Sequence, residues 1–248
     1  MEAVEANILI HITIRVIINF IVAFIGGLLV RHKGIRTNYT RKINHFTLFF
    51  LPVFVSNWFP YEESLMTTIL GLAVSIAFLV MYIKPIRERV GIIQTAFLSF
   101  DRPEDRPRTL LWLSTQFVAA YLVLIPVMIF LDSVGKMSLL LIPILINGIG
   151  DGLAEPVGVR FGRHTYEAYA LFSKRKYVRS IEGSACVFVT GIITLLTLHS
   201  SFSPNQFNIA LVVIPIVMTL AEAIAPHTWD SPFLYAVSGL ATFGILQI

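Results

Sequence analysis

The sequence predicts an all-α protein, a polytopic transmembrane helical bundle with about eight crossings and both termini on the non-cytoplasmic side. Hydrophobic residues make up 56% of the 248 residues and charged residues only 14%, whereas a soluble domain has about a quarter charged residues. The mean hydropathy is +0.76. The apolar residues are grouped in long runs, and the basic residues between them follow an alternating pattern. We therefore predict a single transmembrane domain over residues 1–248.

Eight apolar runs approach the roughly 20 residues that a helix needs to cross the hydrocarbon core. The second run is interrupted by Pro52 and Asn57, and the fifth is short and ends in a glycine-rich stretch. Such breaks are tolerated where the freed backbone groups are bonded inside protein or line a cavity. The runs are 8–30, 43–60, 64–83, 110–131, 137–151, 183–199, 207–225 and 232–248.

Lysine and arginine concentrate in alternate loops, and this bias sets the orientation of a membrane protein. Loop 31–42 contains five of them, and loops 84–109 and 151–182 contain six each, so seventeen of nineteen lie in these loops. We predict that all three loops face the cytoplasm. The same eight crossings place the connection 226–231 on that side.

Several common chemistries are absent from the sequence. It contains no GxxxxGK[ST] P-loop, no GxSxG nucleophile motif and no HExxH zinc motif. The only cysteine, Cys186, lies in an apolar run, so an intrachain disulfide is excluded and a structural zinc site is not expected. A nucleotide-using activity would therefore need a site of another kind, within the membrane-embedded part of the chain.

The charged stretch 147–184 is the main candidate for such a site. Asp151 lies at the end of an apolar run, where an acid is costly and is a functional candidate, or else marks the helix end at headgroup level. Gly158 and Gly162 precede Arg163 and His164. This spacing suits a loop that wraps phosphate oxygens, although the same spacing also packs membrane helices.

The second half of this stretch is basic. Lys174, Arg175, Lys176 and Arg179 suit a polyphosphate, but such residues also contact anionic lipid headgroups. The sequence Glu182-Gly183-Ser184 then begins the next helix. There we expect Ser184 to cap the helix, or the helix N-terminus to receive an anion.

Two further segments carry polar residues that need an explanation. Glu222 lies within apolar sequence, so we expect a cation or a basic side chain beside it; Asp230 follows shortly after. Near the start of the second run, Lys42 and His45 lie three residues apart on one helical face. Snorkelling to the membrane interface is the alternative explanation for these basic residues.

Taken in order, these motifs resemble the lipid-alcohol kinase family that includes dolichol kinase, phytol kinase and CTP-dependent diacylglycerol kinase. The resemblance covers residues 41–232, and the combination is more specific than any of its parts. The matching elements are RKxxH (Arg41, Lys42, His45), GDxxAxxxGxxxGxH (Gly150, Asp151, Ala154, Gly158, Gly162, His164), EGS (Glu182, Gly183, Ser184), Glu222, Asp230 and Pro232.

The related CDP-diacylglycerol synthases typically carry SPKKTxEG and GGxxDRxD, where this chain has KRKYVRSIEGS and HTWDSPF. The chain therefore resembles the kinases more closely. It also departs from the kinase pattern, because the usual Lys-Thr before EGS is replaced by Arg179-Ser180-Ile181 and the usual Asp-Asn by Asp230-Ser231. These replacements leave Arg179, Lys174 or Lys176 as the phosphate-binding cation.

The resemblance implies an Mg²⁺-dependent transfer of the γ-phosphate of CTP, or of ATP, to a long-chain isoprenoid alcohol at the cytoplasmic face. The implied alternatives are a CTP-dependent diacylglycerol kinase and a phosphatidate cytidylyltransferase-like enzyme that forms a CDP-lipid. A non-enzymatic membrane carrier whose acidic residues form an ion path is a third hypothesis. The expected partners are the nucleoside triphosphate, the membrane lipid alcohol, the bilayer and a second copy of the chain; nucleic acid is not expected.

The implied site residues fall into four groups. The catalytic group is Asp151, Glu182, Lys176 and Arg179. The nucleotide-binding group is Gly150, Gly158, Gly162, Arg163, His164, Lys174, Gly183 and Ser184. The substrate-binding group is Lys42, His45 and Asn147. The metal ligands are Asp151, Glu222 and Asp230.

Overall fold

The computed structural model describes residues 2–61, 64–171 and 173–248, and it is 78% helical. The helices are α1 (Glu2–Lys33), α2 (Thr37–Ser56), α3 (Leu65–Val80), α4 (Lys84–Arg87), α5 (Gly91–Phe97), α6 (Thr109–Ser133), α7 (Leu141–Leu145), α8 (Gly152–Phe161), α9 (Ile181–Thr197), α10 (Pro204–Ile224) and α11 (Asp230–Leu246). The strands are β1 (Thr165–Ala170) and β2 (Ser173–Ser180). Short 3₁₀ turns are formed by Pro103–Asp105, Met137–Leu140 and His199–Ser201, and a π-helical turn by Ile146–Asp151.

The described part of the chain contains four helical segments long and apolar enough to cross a membrane: Asn7–Lys33, Thr109–Ser133, Met137–Phe161 and Pro204–Ile224. Two shorter apolar helices accompany them, Leu65–Val80 and Ile181–Thr197. Each of the eight predicted apolar runs coincides with helical structure. A predominantly helical protein with membrane-type helices is therefore confirmed.

The chain forms two compact units, residues 1–114 and 115–248. In the first unit α1 packs against α2, α3 and α5. A Cβ atom on Gly27 would lie 1.7 Å from the Thr95 carbonyl oxygen, so α1 and α5 cross in backbone contact. The core of this unit is aromatic, with Tyr82, Phe97 and Phe100 packed edge to face or tilted.

The second unit is built around α9, which packs against α8, α10 and the π-helical turn, while α10 packs against α11. Its core consists of aliphatic side chains from these helices and from the start of the Met137–Phe161 segment. The most deeply buried of them are Leu139, Ile142, Ile146, Val187, Leu195, Ile214, Met218 and Leu234.

The predicted cytoplasmic connection 151–182 contains α8 and an antiparallel β-hairpin, and its position at the cytoplasmic face stays a prediction. Strands β1 and β2 pair from Thr165 opposite Ser180 to Ala170 opposite Ser173, with an irregularity near the tip. Tyrosine recurs in these strands, at 166, 169 and 177, and aromatic residues favour a pleated, half-buried surface. The hairpin is thus a local departure from the all-α prediction. The predicted loop 84–109 likewise contains α4, α5 and a 3₁₀ turn.

Candidate functional site

Three carboxylates meet in the second unit. One carboxylate oxygen from each of Asp151, Glu222 and Asp230 lies within 4.8 Å of the other two. Asp151 ends the π-helical turn, Glu222 lies in the last turn of α10, and Asp230 is the first residue of α11. Only 6% of Asp151 and 4% of Glu222 are exposed. The structure thus brings together the three residues that the sequence predicted as metal ligands, and metal binding by them stays a prediction.

The backbone beside Asp151 is shaped for close helix packing. A π-helical turn accommodates an extra residue within a helix and is frequent at functional sites. Next to it, a Cβ atom on Gly150 would lie 3.0 Å from the Val187 Cα atom of α9. Gly150, predicted to bind nucleotide, therefore lets α9 approach the segment that carries Asp151.

The connection 225–229 between α10 and α11 is held against the hairpin. The His227 backbone N–H donates to the Tyr169 carbonyl at 2.7 Å, and the His227 ring stacks on Tyr177 at a centroid distance of 3.6 Å. Thr228 adopts φ +67°, which is rare for a β-branched residue. These features place the end of α10 and the start of α11 beside β2.

Arg179 on β2 is the cation of this group. Its guanidinium donates to Asp230 Oδ1 at 2.5 Å, to Glu222 Oε1 at 3.1 Å and to the Ala225 carbonyl at 3.1 Å, and it also contacts the Glu222 carbonyl. Burial disfavours its charge, but the Asp230 and Glu222 carboxylates outweigh burial and raise the pKa of Arg179. The basic partner expected for Glu222 is therefore present.

Ser184 and Tyr166 complete the surroundings of Glu222. The Ser184 hydroxyl donates to Glu222 Oε2 at 2.7 Å, and the Tyr166 hydroxyl lies 2.6 Å from Ser184 Oγ. Burial first, and then the Glu222 charge, raise the pKa of Tyr166. The prediction that Ser184 caps α9 is wrong, because Ser180 accepts the capping hydrogen bond from the Gly183 N–H at 3.1 Å.

Asn147 lies in a buried polar network one turn before Asp151. Its amide donates to the Tyr235 hydroxyl at 3.1 Å, and its Oδ1 accepts from the Ser231 hydroxyl at 3.2 Å. The Ser231 hydroxyl also accepts from the Gln116 side chain at 3.1 Å. The network ties the π-helical turn to α6 and α11, and the predicted role of Asn147 in substrate binding stays a prediction.

His164 and Glu182 form an exposed pair at the start of α9. The Glu182 carboxylate lies 2.8 Å from His164 Nδ1 and accepts from the His164 backbone N–H at 3.2 Å. Hydrogen bonds from its own backbone N–H and from the His164 side chain lower the pKa of Glu182 to about 2. Glu182 therefore orients the imidazole, whose ring remains accessible to solvent.

Gly158 and Gly162 are packing residues in the structure. Gly158 lies inside α8 and not in a phosphate-wrapping loop; a Cβ atom there would lie 2.9 Å from Ser180 Oγ. A Cβ atom on Gly162 would lie 2.4 Å from the Gly158 carbonyl, and one on Gly183 would lie 2.6 Å from the Ala154 carbonyl. All three glycines thus allow α8, the end of β2 and α9 to approach one another.

The other predicted cations lie at the surface of the second unit. Lys176 ion-pairs with Glu167 at 2.5 Å and its side chain is 69% exposed. Because strand residues alternate between faces, Lys176 lies on the opposite face of β2 from Tyr177 and Arg179. Lys174 and Arg163 are exposed. Their contact with a nucleotide stays a prediction.

Lys42 and His45 belong to the first unit, in α2. Lys42 is buried there, with 4% of the residue exposed, and the His45 ring lies 4.7 Å from the Phe49 ring. Their predicted part in substrate binding therefore concerns a different unit from the one that holds the three carboxylates.

No protein-family model, curated protein or solved structure matches this chain. The function has to be inferred from the residues and their geometry.

The sequence did not predict several residues that the structure places beside the carboxylates. Tyr166 belongs to the unpredicted hairpin, and Ser231 ends the predicted connection 226–231. Tyr235 and Gln116 lie in predicted apolar runs, where isolated hydroxyl and amide groups attract little attention. The sequence nevertheless contained an indication of these residues, since a buried polar side chain in a membrane helix needs a partner. A search for such residues one turn apart on α11 would have found Ser231 and Tyr235.

Proposed function

We propose that the chain is an integral membrane lipid-alcohol kinase that transfers the γ-phosphate of CTP, or of ATP, to a long-chain isoprenoid alcohol. The observation that carries this proposal is the convergence of Asp151, Glu222 and Asp230 within 4.8 Å. Asp151 is far from Glu222 and Asp230 in sequence, yet the resemblance had singled out the three residues as a group.

The oxygen donors fit a hard divalent cation. Mg²⁺ prefers carboxylate, phosphate and water oxygens, and opposite ligands of an octahedral Mg²⁺ lie about 4.2 Å apart. A spacing of up to 4.8 Å is therefore slightly wider than the ion requires, and small side-chain rotations would close the difference. When bound there, Mg²⁺ would neutralise charge on the phosphates of the donor nucleotide.

The protein's own residues would do the remaining work of positioning. Phosphoryl transfer needs little covalent assistance and depends mainly on alignment and charge neutralisation. Arg163 and Lys174 are exposed cations in the same unit as the carboxylates. We propose that they attract the polyphosphate, while His164, held by Glu182, donates a hydrogen bond to a phosphate oxygen.

The apolar helices support the choice of a lipid substrate. Glu222 lies in the last turn of an apolar segment that is long enough to cross a membrane, Pro204–Ile224, and Asp151 directly follows the apolar run 137–150 within another, Met137–Phe161. A lipid hydroxyl at the membrane surface would therefore reach the carboxylates while its tail stays among the helices. We further propose eight crossings with the carboxylates at the cytoplasmic face, since seventeen of the nineteen basic residues lie in loops of one side.

The test uses the full chain reconstituted in liposomes, with γ-labelled CTP, ATP, GTP or UTP and a panel of phytol, farnesol, polyprenol and diacylglycerol. We expect a phosphorylated isoprenoid alcohol and a nucleoside diphosphate. A phosphorylated diacylglycerol would identify the alternative lipid kinase, and pyrophosphate release would identify nucleotidyl transfer. Phosphorylation of none of these alcohols would overturn the proposal.

Asp151→Asn supplies the residue-level test, with Asp132→Asn as the matched control. Asp132 is an exposed residue near the end of α6 in the same unit. We expect Asp151→Asn to lower the rate by about 100-fold or more, the scale seen when a preorganised charge-stabilising group is removed. Wild-type activity in a folded Asp151→Asn variant would remove Asp151 from the mechanism.

A further inference from the structure

The contacts of Arg179 differ from those expected of a phosphate-binding residue. Each terminal nitrogen of an arginine side chain carries two hydrogens. Nη1 contacts the Glu222 carbonyl and Glu222 Oε1, and Nη2 contacts the Ala225 carbonyl and Asp230 Oδ1. These contacts direct both terminal nitrogens to protein acceptors, so that the forked pair which grips a phosphate is already occupied.

The acceptors belong to two different helix ends. The carbonyls of Glu222 and Ala225 lie at the C-terminus of α10, where backbone carbonyls lack helical partners and the helix dipole favours a cation. Asp230 is the first residue of α11. One side chain of β2 therefore caps α10 and pairs with the start of α11.

We propose that Arg179 is a positioning residue that holds Glu222 and Asp230 at ligand spacing, and that it does not bind the nucleotide phosphates. This proposal rests on the proposed function, because it assigns the two carboxylates to a divalent cation. Two like charges at this separation repel each other. The guanidinium between them removes that repulsion while leaving Glu222 Oε2 and Asp230 Oδ2 outside its contacts.

Lysine is not an adequate substitute at this position. An ammonium group keeps the charge, but it is a single point with three donors on a flexible stem, whereas the guanidinium is a planar fork. Lysine therefore cannot reach both helix ends in one conformation. A residue that merely neutralised phosphate would tolerate this change much better.

The first measurement compares metal affinity with nucleotide affinity. Mn²⁺ binding is followed by electron paramagnetic resonance in wild type and in Arg179→Lys, with Arg160→Lys on the exposed side of α8 as the matched control. We expect Arg179→Lys to weaken Mn²⁺ binding by about 10-fold or more, as the loss of a ligand-orienting partner does. The KM for nucleotide at saturating Mg²⁺ should remain close to wild type, and Arg160→Lys should change neither quantity.

The opposite pattern overturns the proposal: a large rise in the nucleotide KM with unchanged Mn²⁺ affinity would mean that Arg179 contacts phosphate. If wild type itself binds no Mn²⁺ through these carboxylates, the metal assignment in the proposed function fails, and the failure is not due to Arg179. A second measurement, independent of any metal, then decides the positioning role.

That measurement is the thermal unfolding midpoint of Arg179→Gln and of Arg179→Gln combined with Glu222→Gln. Removing the cation leaves two buried carboxylates facing each other, so the single variant should unfold at a lower temperature. Removing one of the two charges should recover part of the loss. A double variant that is no more stable than Arg179→Gln would show that the guanidinium does not separate these charges.

Discussion

The guanidinium of Arg179 donates to Asp230 across 2.5 Å and thereby joins β2 to the first residue of α11. Both side chains are mostly buried. The ion pair connects the hairpin, which the sequence did not predict, to one of the carboxylates that it did.

Asp230→Asn should destabilise the fold because it leaves the buried Arg179 charge with one carboxylate partner in place of two. Removing one member of a buried pair costs about 3–5 kcal/mol, and the retained Glu222 contact should keep the loss at the lower end of that range. Unfolding of the detergent-solubilised protein measures this cost. Asp132→Asn, the exposed control, should stay within about 0.5 kcal/mol of wild type, and equal stability of the two variants would contradict the prediction.

Ser184→Ala should impair both stability and kinase activity. The hydroxyl donates to Glu222 and lies against the Tyr166 hydroxyl, so its removal leaves a buried carboxylate oxygen without this donor. We expect a loss of about 1–3 kcal/mol in the free energy of unfolding. Tyr166→Phe keeps the bond between Ser184 and Glu222 and should cost less. If Tyr166→Phe had a lower free energy of unfolding than Ser184→Ala, Glu222 would depend mainly on the tyrosine hydroxyl.

Gly183→Ala should destabilise the second unit, because the added methyl group would lie 2.6 Å from the Ala154 carbonyl oxygen. Backbone atoms cannot yield cheaply, and overpacking of this kind costs about 1–3 kcal/mol. Gly244→Ala is the matched control, since a Cβ atom there meets nothing within 4 Å in the interior of α11. The control should leave stability unchanged or raise it. Equal tolerance of both alanines would show that α8 and α9 are less closely packed than described.

Glu182 should give stability a dependence on acidic pH. Its pKa is lowered from the ordinary value of 4.5 to about 2. The folded state therefore binds a proton less readily than the unfolded chain, and the resulting stabilisation is fully present above pH 4.5 and lost as the pH falls through about 2. Thermal unfolding followed across this window should show a weaker pH dependence in Glu182→Gln. An unchanged profile would exclude Glu182 as the source.

Much of the carboxylate site could be predicted from the sequence because acids in apolar runs are costly and conspicuous. Asp151 and Glu222 stand out for that reason, and the requirement of a basic partner for Glu222 follows from the same cost. The partner's identity could not be predicted, since four basic residues occur between 174 and 179, and Arg175 shares a strand face with Arg179 but is exposed. Only the contact of β2 with the ends of α10 and α11 selects Arg179. The sequence pattern of a hairpin of this length is weak compared with the long apolar runs of membrane helices.

The glycines show a second reason why the sequence alone could not predict the whole site. Gly158 and Gly162 are spaced four residues apart, which serves a phosphate loop and a helix contact equally well. Only the position of Ser180 opposite both of them distinguishes these structures. The roles of Lys42 and His45 could not be predicted for another reason, because the burial of Lys42 within the first unit leaves no motif in the sequence.

The order in which the ribosome synthesises the chain determines when the contacts of Arg179 can form. Asp151 and Arg179 are synthesised well before Glu222, and Asp230 follows Glu222 at the start of α11. Until α11 has been synthesised, Arg179 lacks Asp230, one of its two carboxylate partners. Domains assemble largely in the order of synthesis, and incomplete species are the ones that chaperones and proteases act on. A chain truncated before residue 230 should therefore lack this ion pair and be degraded faster than the full chain, so that completion of the carboxylate site coincides with the synthesis of α11.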